Sequence, residues 1–204
     1  MKKIILYSVV YFTLIGCGGG SDSLGTNNTP NGGASGNNSQ AFDAPAIEAS
    51  TKQAYLVAIN NARAMQQNCG VEGIKPATTP LAWSDELYYA AYEHSEDLAE
   101  SNTFLHNGSG TSSDWTAEVK NLAKGSTYID RIANNGYTNY RTIGENIAGG
   151  TNRDLPQEAI DAWIKSDGHC ANLMNPAYKD VGMGHVEKSE SNLTHYWTQN
   201  FGAK

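Results

Sequence analysis

Ser84-Asp85-Glu86-Leu87-Tyr88-Tyr89-Ala90-Ala91-Tyr92-Glu93-His94-Ser95-Glu96-Asp97-Leu98 decides the fold class when it is set beside the C-terminal end of the chain. A serine hydroxyl accepts from a backbone N–H of a first helical turn, and Asp85 and Glu86 put negative charge where the helix dipole favours it. Leu87, Ala90, Ala91, His94 and Leu98 then share one face, so residues 85–100 read as a helix. Near the C-terminus the period changes. Val181, Met183 and His185 alternate with Gly182, Gly184 and Val186, and Trp197, Gln199 and Phe201 share one side of an extended stretch over 193–201. The polar residues 187–192 between them predict an antiparallel hairpin. Outward from the 85–100 helix, Tyr55, Ile59 and Ala62 recur at helical spacing over 51–66, until Gly70 and Gly73 break the pattern. Asp130, Arg131 and Ile132 lie in a shorter helical stretch ending at Gly136, and 156–166 carries Ile160, Trp163 and Ile164 on one face before Gly168. Helices first and a hairpin last predict an α+β layered domain, with no internal repeat.

The N-terminal residues speak to location. Met1-Lys2-Lys3 is a short positive region, Ile4 to Ile15 is an almost unbroken apolar run, and Leu14-Ile15-Gly16-Cys17 closes it. That is the layout of a cleaved signal, and the run falls short of the roughly 20 residues of a spanning helix. Leu-Ile-Gly-Cys resembles the bacterial lipobox, which predicts a lipid on the Cys17 thiol and a signal peptide over 1–16. An ordinary secreted chain with an incidental cysteine is the competing reading, and Gly16 and the tract that follows argue against it. Gly18 after the cysteine favours the outer membrane in a Gram-negative cell. Residues 17–45 are Gly, Ser, Asn and Thr with little that is apolar, too little to repay ordering. Such a tether has an r.m.s. span of roughly 25 to 30 Å. Residues 46–204 remain as one domain with a single core.

The chain has 14 basic and 21 acidic side chains; loss of Lys2 and Lys3 leaves 12 basic ones and a formal charge of −9. Nucleic acid is excluded as a partner on that balance. With Cys17 lipidated, Cys69 and Cys170 are left as a pair in an oxidising compartment, against the alternative of two buried thiols. A loop of about 100 residues would give such a bridge up to ~4 to 5 kcal/mol on the chain-entropy model.

Five histidines are candidates for chemistry. His94 lies on the apolar face of its helix and His185 and His195 lie in strands, so these three read as structural. His106 and His169 each fall just past a helix end beside Gly108 or Gly168, where a scaffold presents side chains. Glu145 stands in the glycine-flanked turn Gly144-Glu145-Asn146. There is no His-Glu-x-x-His helix, no Gly-x-Ser-x-Gly elbow and no phosphate loop, so motif logic gives no enzyme class.

Taken together, the order and spacing of several patterns resemble the CAP superfamily, the cysteine-rich secretory, venom allergen and pathogenesis-related proteins (SCP-like extracellular domain), in its bacterial form. They are Ile59-Asn60-x-x-Arg63; Leu81-x-Trp83 with Leu87-x-x-Ala90-Ala91-x-x-His94-x-x-Asp97-Leu98-Ala99; Phe104-x-His106-x-Gly108; Arg131 with Gly136-Tyr137; Gly144-Glu145-Asn146-Ile147-Ala148; Trp163-x-x-Ser166-x-Gly168-His169-Cys170-x-Asn172-x-Met174; Val181-Gly182-x-Gly184; and Tyr196-Trp197-Thr198-Gln199-x-Phe201. The resemblance implies a three-layer α-β-α sandwich with a central antiparallel sheet, and an open cavity. It implies that His106, Glu145, Ser166 and His169 line that cavity and that the two histidines, with Glu145, hold a divalent metal, often zinc. The eukaryotic form has a second glutamate where this chain has Ser166, a poorer ligand, which implies weak or transient metal and leans away from an enzyme. The polar stretch 111–125 is longer than usual and is expected to form a rim or lid. A Cys69–Cys170 bridge would pin His169 against the loop after the first helix.

Three functions compete on these grounds. The first is a surface binding module taking a lipid, a small apolar molecule or a partner protein through the cavity. The second is a metal-assisted hydrolase of peptides or envelope components, with Glu145 as the weak candidate for a catalytic base. The third is a surface spacer. The first leads, because one carboxylate is missing and no nucleophile is paired with a base.

Overall fold

The structure is a computed structural model that describes residues 41–204; the signal peptide, Cys17 and most of the tether lie outside the described residues. In chain order the elements are α1 (Ala49–Arg63), β1 (Gln67–Asn68), a 3-10 turn at Gly70–Glu72, β2 (Ile74–Lys75), β3 (Ala82–Trp83), α2 (Asp85–Ser101), α3 (Trp115–Lys120), α4 (Tyr128–Asn134), β4 (Thr142–Gly150), α5 (Pro156–Ile164), α6 (Asp167–Leu173), β5 (Asp180–Glu187) and β6 (His195–Ala203). The main sheet runs β3-β5-β6-β4. It is antiparallel except for the two-residue β3, which runs parallel to β5 and so modifies the all-antiparallel expectation.

Helices cover both faces of this sheet, giving the α-β-α sandwich. On one face α2 crosses β5 and β6, with α4 beside it. The Ser84 hydroxyl accepts from Leu87 N, and Asn102 ends the helix in the left-handed conformation. Leu87, Ala90, Ala91 and Leu98 are completely buried. Glycine makes the close approach of α2 to β5 feasible: a Cβ at Gly182 would stand 2.0 Å from Tyr88 N, and one at Gly184 2.5 Å from Tyr92 N.

The opposite face holds the main core. Ile59 and Ala62 of α1, Ile160 and Trp163 of α5, and Leu173 of α6 pack on Val181, Met183, Trp197, Phe201 and Ala148. Arg63 is buried at the end of α1 and donates to the carbonyls of Leu173, Asn175 and Thr79, tying the first helix to the end of α6. Ahead of α1 the chain packs on the outside of α2: Phe42 N donates to Asn135 Oδ1, Phe42 lies against Tyr92 and Trp115, and Tyr88 donates to the Pro45 carbonyl.

Strand β4 lies at the sheet edge, and three side chains from the α5 and α6 side take its carbonyls. Trp163 Nε1 donates to Ile147 O at 2.8 Å, Asn172 Nδ2 to Glu145 O at 3.1 Å and the Tyr178 hydroxyl to Ile143 O at 3.4 Å. Trp163, Asn172 and Tyr178 therefore bind the helical layer to the strand that carries Glu145.

Candidate functional site

Alternation along β4 splits its residues between the two layers. Ala148 faces the main core and Ile147 faces α2, so Glu145 points to the α2 side and Asn146 to the α6 side. The sequence reading put Glu145 in a turn; it is the fourth residue of a nine-residue strand.

Glu145 is buried and both its oxygens are engaged. Oε2 meets Arg131 Nη2 of α4 at 2.9 Å, and Oε1 meets His106 Nδ1 at 3.0 Å. Asn200, with its carboxamide nitrogen turned toward the carboxylate, adds a third donor at 3.2 Å. An ionised carboxylate only accepts, so Nδ1 of His106 carries its proton and Nε2 keeps a lone pair. Arg131 also donates to the backbone carbonyls of His106 and Ser126, which fixes the loop bearing His106. Burial pushes the Glu145 carboxyl up, but Arg131, His94 and His106 together outweigh it and hold it at about 2. His94 lies 3.9 Å from the same carboxylate, yet burial first and the Arg131 charge second bring it down to about 3. His94 is therefore neutral, donating from Nε2 to Leu105 O at 3.0 Å, and makes no ion pair.

His169 comes from the other layer. It sits in the first turn of α6 rather than past a helix end, half-buried, with its ring 6.0 Å from that of His106. Burial and then the neighbouring His106 lower its affinity for a proton. Its backbone carbonyl accepts from Asn146 Nδ2, and Cys170, the next residue, is bonded to Cys69 across a Cα–Cα distance of 5.3 Å. The expected bridge is thus present in the structure. It holds the β1–β2 ribbon beside α6, where Asp167 Oδ2 also accepts from Val71 N.

A cavity of about 500 Å³ opens between that ribbon and α6. Glu72 and Lys75 form its ribbon side, and Asn146, His169, Asn172 and Asn175 stand among its lining. Glu145 reaches the cavity, but His106 is not among the residues that line it and is tied to the site only through Glu145 and the nearby His169 ring. Ser166 is not part of the lining; it occupies the position before α6 without capping that helix through its side chain. The stretch 111–125 does not form the expected rim. It folds into α3 and packs on α2 and α4, where Thr116 N donates to Glu93 and Asp114 accepts from Gly110, Ala117 and Ser126.

The metal expectation needs a donor set. Among the described residues no group of three or more His, Cys, Asp and Glu is arranged to hold a metal ion. Glu145 is spent on Arg131, leaving His106 Nε2 and the His169 ring as the available donors. In this arrangement Glu145 orients a potential ligand rather than acting as one. Sequence reasoning quoted Arg131 only as part of a pattern; its burial against Glu145 emerges only when α4 and β4 are brought together.

The family model for cysteine-rich secretory proteins (CAP) matches residues 56–201, most of the described chain. The chain belongs to the CAP family. Over 130 residues this CAP domain is 32% identical to the uncharacterised protein YkwD of Bacillus subtilis, covering 64% of this chain and 42% of that protein. The chain thus spans less than half the length of that relative. Among solved structures it is similar to an extracellular SCP-domain protein of Bacillus anthracis, at 28% identity and a TM-score of 0.48, over 62% of this chain and 35% of that one. An outer surface protein of Borrelia burgdorferi matches at 20% identity and a TM-score of 0.48, over 62% of this chain and 80% of its own.

Proposed function

We propose that this CAP domain is an exported binding module, anchored by lipid on Cys17, that takes its ligand in the cavity beside His169. One observation carries the choice of binding over hydrolysis: Glu145 is buried with Oε2 on Arg131 and Oε1 on His106, so neither oxygen is free to take a proton from a group in the cavity. The lining supports a polar ligand better than a lipid, since charged groups, carboxamides and an imidazole dominate it. Zinc belongs to this reading as a weak ligand of the exposed His106 and His169 pair. When bound, it would supply a Lewis acid at the cavity mouth, while Glu145 holds the His106 ring in place.

Calorimetric zinc titration of the full chain in detergent micelles tests the pair. Binding weaker than that of a closed structural site, lost in both His106→Ala and His169→Ala, is the expected result. Tight stoichiometric zinc together with peptide hydrolysis abolished by Glu145→Gln would favour the hydrolase instead. The anchor has its own test. The native chain should enter the detergent phase on Triton X-114 partition and Cys17→Ser should not; equal partition of the two would remove the anchor from the proposal.

A further inference from the structure

The cavity wall holds two opposite charges that do not satisfy one another. Glu72 and Lys75 both line it, from the 3-10 turn and from β2. Among the described residues the ion-paired lysines are Lys52, Lys188 and Lys204, and the carboxylates they meet are Asp85, Glu100 and Glu86. Lys75 and Glu72 thus face the cavity without a salt bridge, although three positions apart. Opposite charges that stay apart on the wall of a concave site are available to charges brought by a ligand.

The rest of the lining narrows what fits. Asn146 and Asn172 are consumed internally: Asn146 donates to His169 O and Gln199 Oε1 and accepts from Asn172, which also donates to Glu145 O and accepts from Tyr178. The Glu145 charge is cancelled by Arg131. What remains for a ligand is the Lys75 ammonium, the His169 ring, whose nitrogens have no hydrogen-bond partner among the described residues, the Glu72 carboxylate, and the Asn175 carboxamide, whose Oδ1 already accepts from Ala177 N. That is one fixed cation, an imidazole and a carboxamide able to donate, with one fixed anion beside them. The ribbon that carries both charges is stapled to α6 by the Cys69–Cys170 bond, so the backbone from which both side chains reach the cavity is fixed before a ligand arrives.

From this we infer that the cavity recognises a small zwitterion of the amino-acid or short-peptide class, its carboxylate received by Lys75 and His169 and its ammonium by Glu72. The inference rests on the binding-module reading above and specifies the ligand class for that same cavity.

The test uses L-alanyl-L-alanine, its C-terminal amide and its N-acetyl derivative, titrated calorimetrically into the full chain in detergent micelles. The free dipeptide should bind, and each blocked form should bind at least about tenfold more weakly, the loss expected for a charged hydrogen bond. Lys75→Met should weaken the free dipeptide by a similar factor and lose most of its sensitivity to amidation while keeping that to acetylation; Glu72→Gln should become indifferent to acetylation. Glu72 is exposed and Lys75 only partly buried, so neither change touches the core. Equal affinity for the free and blocked dipeptides, or a Lys75→Met protein that discriminates the free dipeptide from its amide as strongly as the native chain does, overturns the inference. Zinc binding at the histidine pair without any dipeptide binding also overturns it, while leaving the binding-module reading in place. Absence of both removes both.

Discussion

Arg131 Nη2 serves two acceptors at once, the Glu145 carboxylate and the His106 carbonyl, each at 2.9 Å. Both charges of the pair are withdrawn from water, so removing the cation strands the anion. Arg131→Met should cost about 3 to 5 kcal/mol, the usual scale for breaking a buried pair from one side, read as a lower urea midpoint with an unchanged slope. Arg131→Met combined with Glu145→Gln should recover part of that loss. A single variant as stable as the native chain would show that the pair contributes nothing. Nothing local in the sequence announces this contact, because the partners are 14 residues apart on a helix and a strand. His106 and His169 were legible because each stands in a loop or first turn beside glycine; the residue that organises them was hidden inside a helical pattern.

At the scale of elements, α2 was readable because its apolar residues recur on one helical face, and the β5–β6 hairpin because bulky residues alternate with glycine or polar ones along it. Strand β4 was not. Its residues Gly144, Asn146 and Gly149 supply neither bulk nor apolar alternation, since both faces are covered and the polar side chains find partners inside. The two glycines of β5 were visible as a pattern, and the structure gives them a cause in the passage of α2. Gly184→Ala should therefore destabilise by about 1 to 3 kcal/mol or more through overpacking against backbone, whereas Gly168→Ala, which meets nothing within 4 Å, should be within about 0.5 kcal/mol of native. Thermal unfolding of the two variants side by side checks this, and equal melting temperatures would contradict the close packing. The Cys69–Cys170 bond belongs to the same scale. The ribbon it holds has only two paired residues on each strand, so Cys69→Ser should cost about 2 to 5 kcal/mol and weaken zinc at His169; a folded variant with native zinc affinity would separate the bridge from the site.

For the whole molecule, acid is the sensitive variable. His94, buried beside Arg131, titrates at about 3, and His185, half-buried and next to His195, at about 4, both below the ordinary imidazole value of 6.5. Unfolding lets both rings take up protons that the native state refuses. Their contribution is thus complete above about pH 6.5 and lost as the pH falls toward 4 and then 3. Glu145 adds a second loss lower down, between its ordinary 4.5 and about 2. Urea midpoints should accordingly fall steadily from pH 6.5 to 4, and His185→Gln should flatten the profile; a level native profile over that range would contradict the burial of neutral imidazoles.

Trp163, Asn172 and Tyr178, by occupying the outward carbonyls of β4, do more than hold a helical layer in place. An open strand margin is a template on which a neighbouring copy can add its own strand, and the hazard grows with local concentration. Under the lipid anchoring proposed above, copies of the chain would live under two-dimensional crowding, where encounters between identical copies are frequent. With those acceptors already taken, adjacent copies meet a margin that offers little to continue a sheet, and the same side chains that position Glu145 help keep a crowded layer from polymerising.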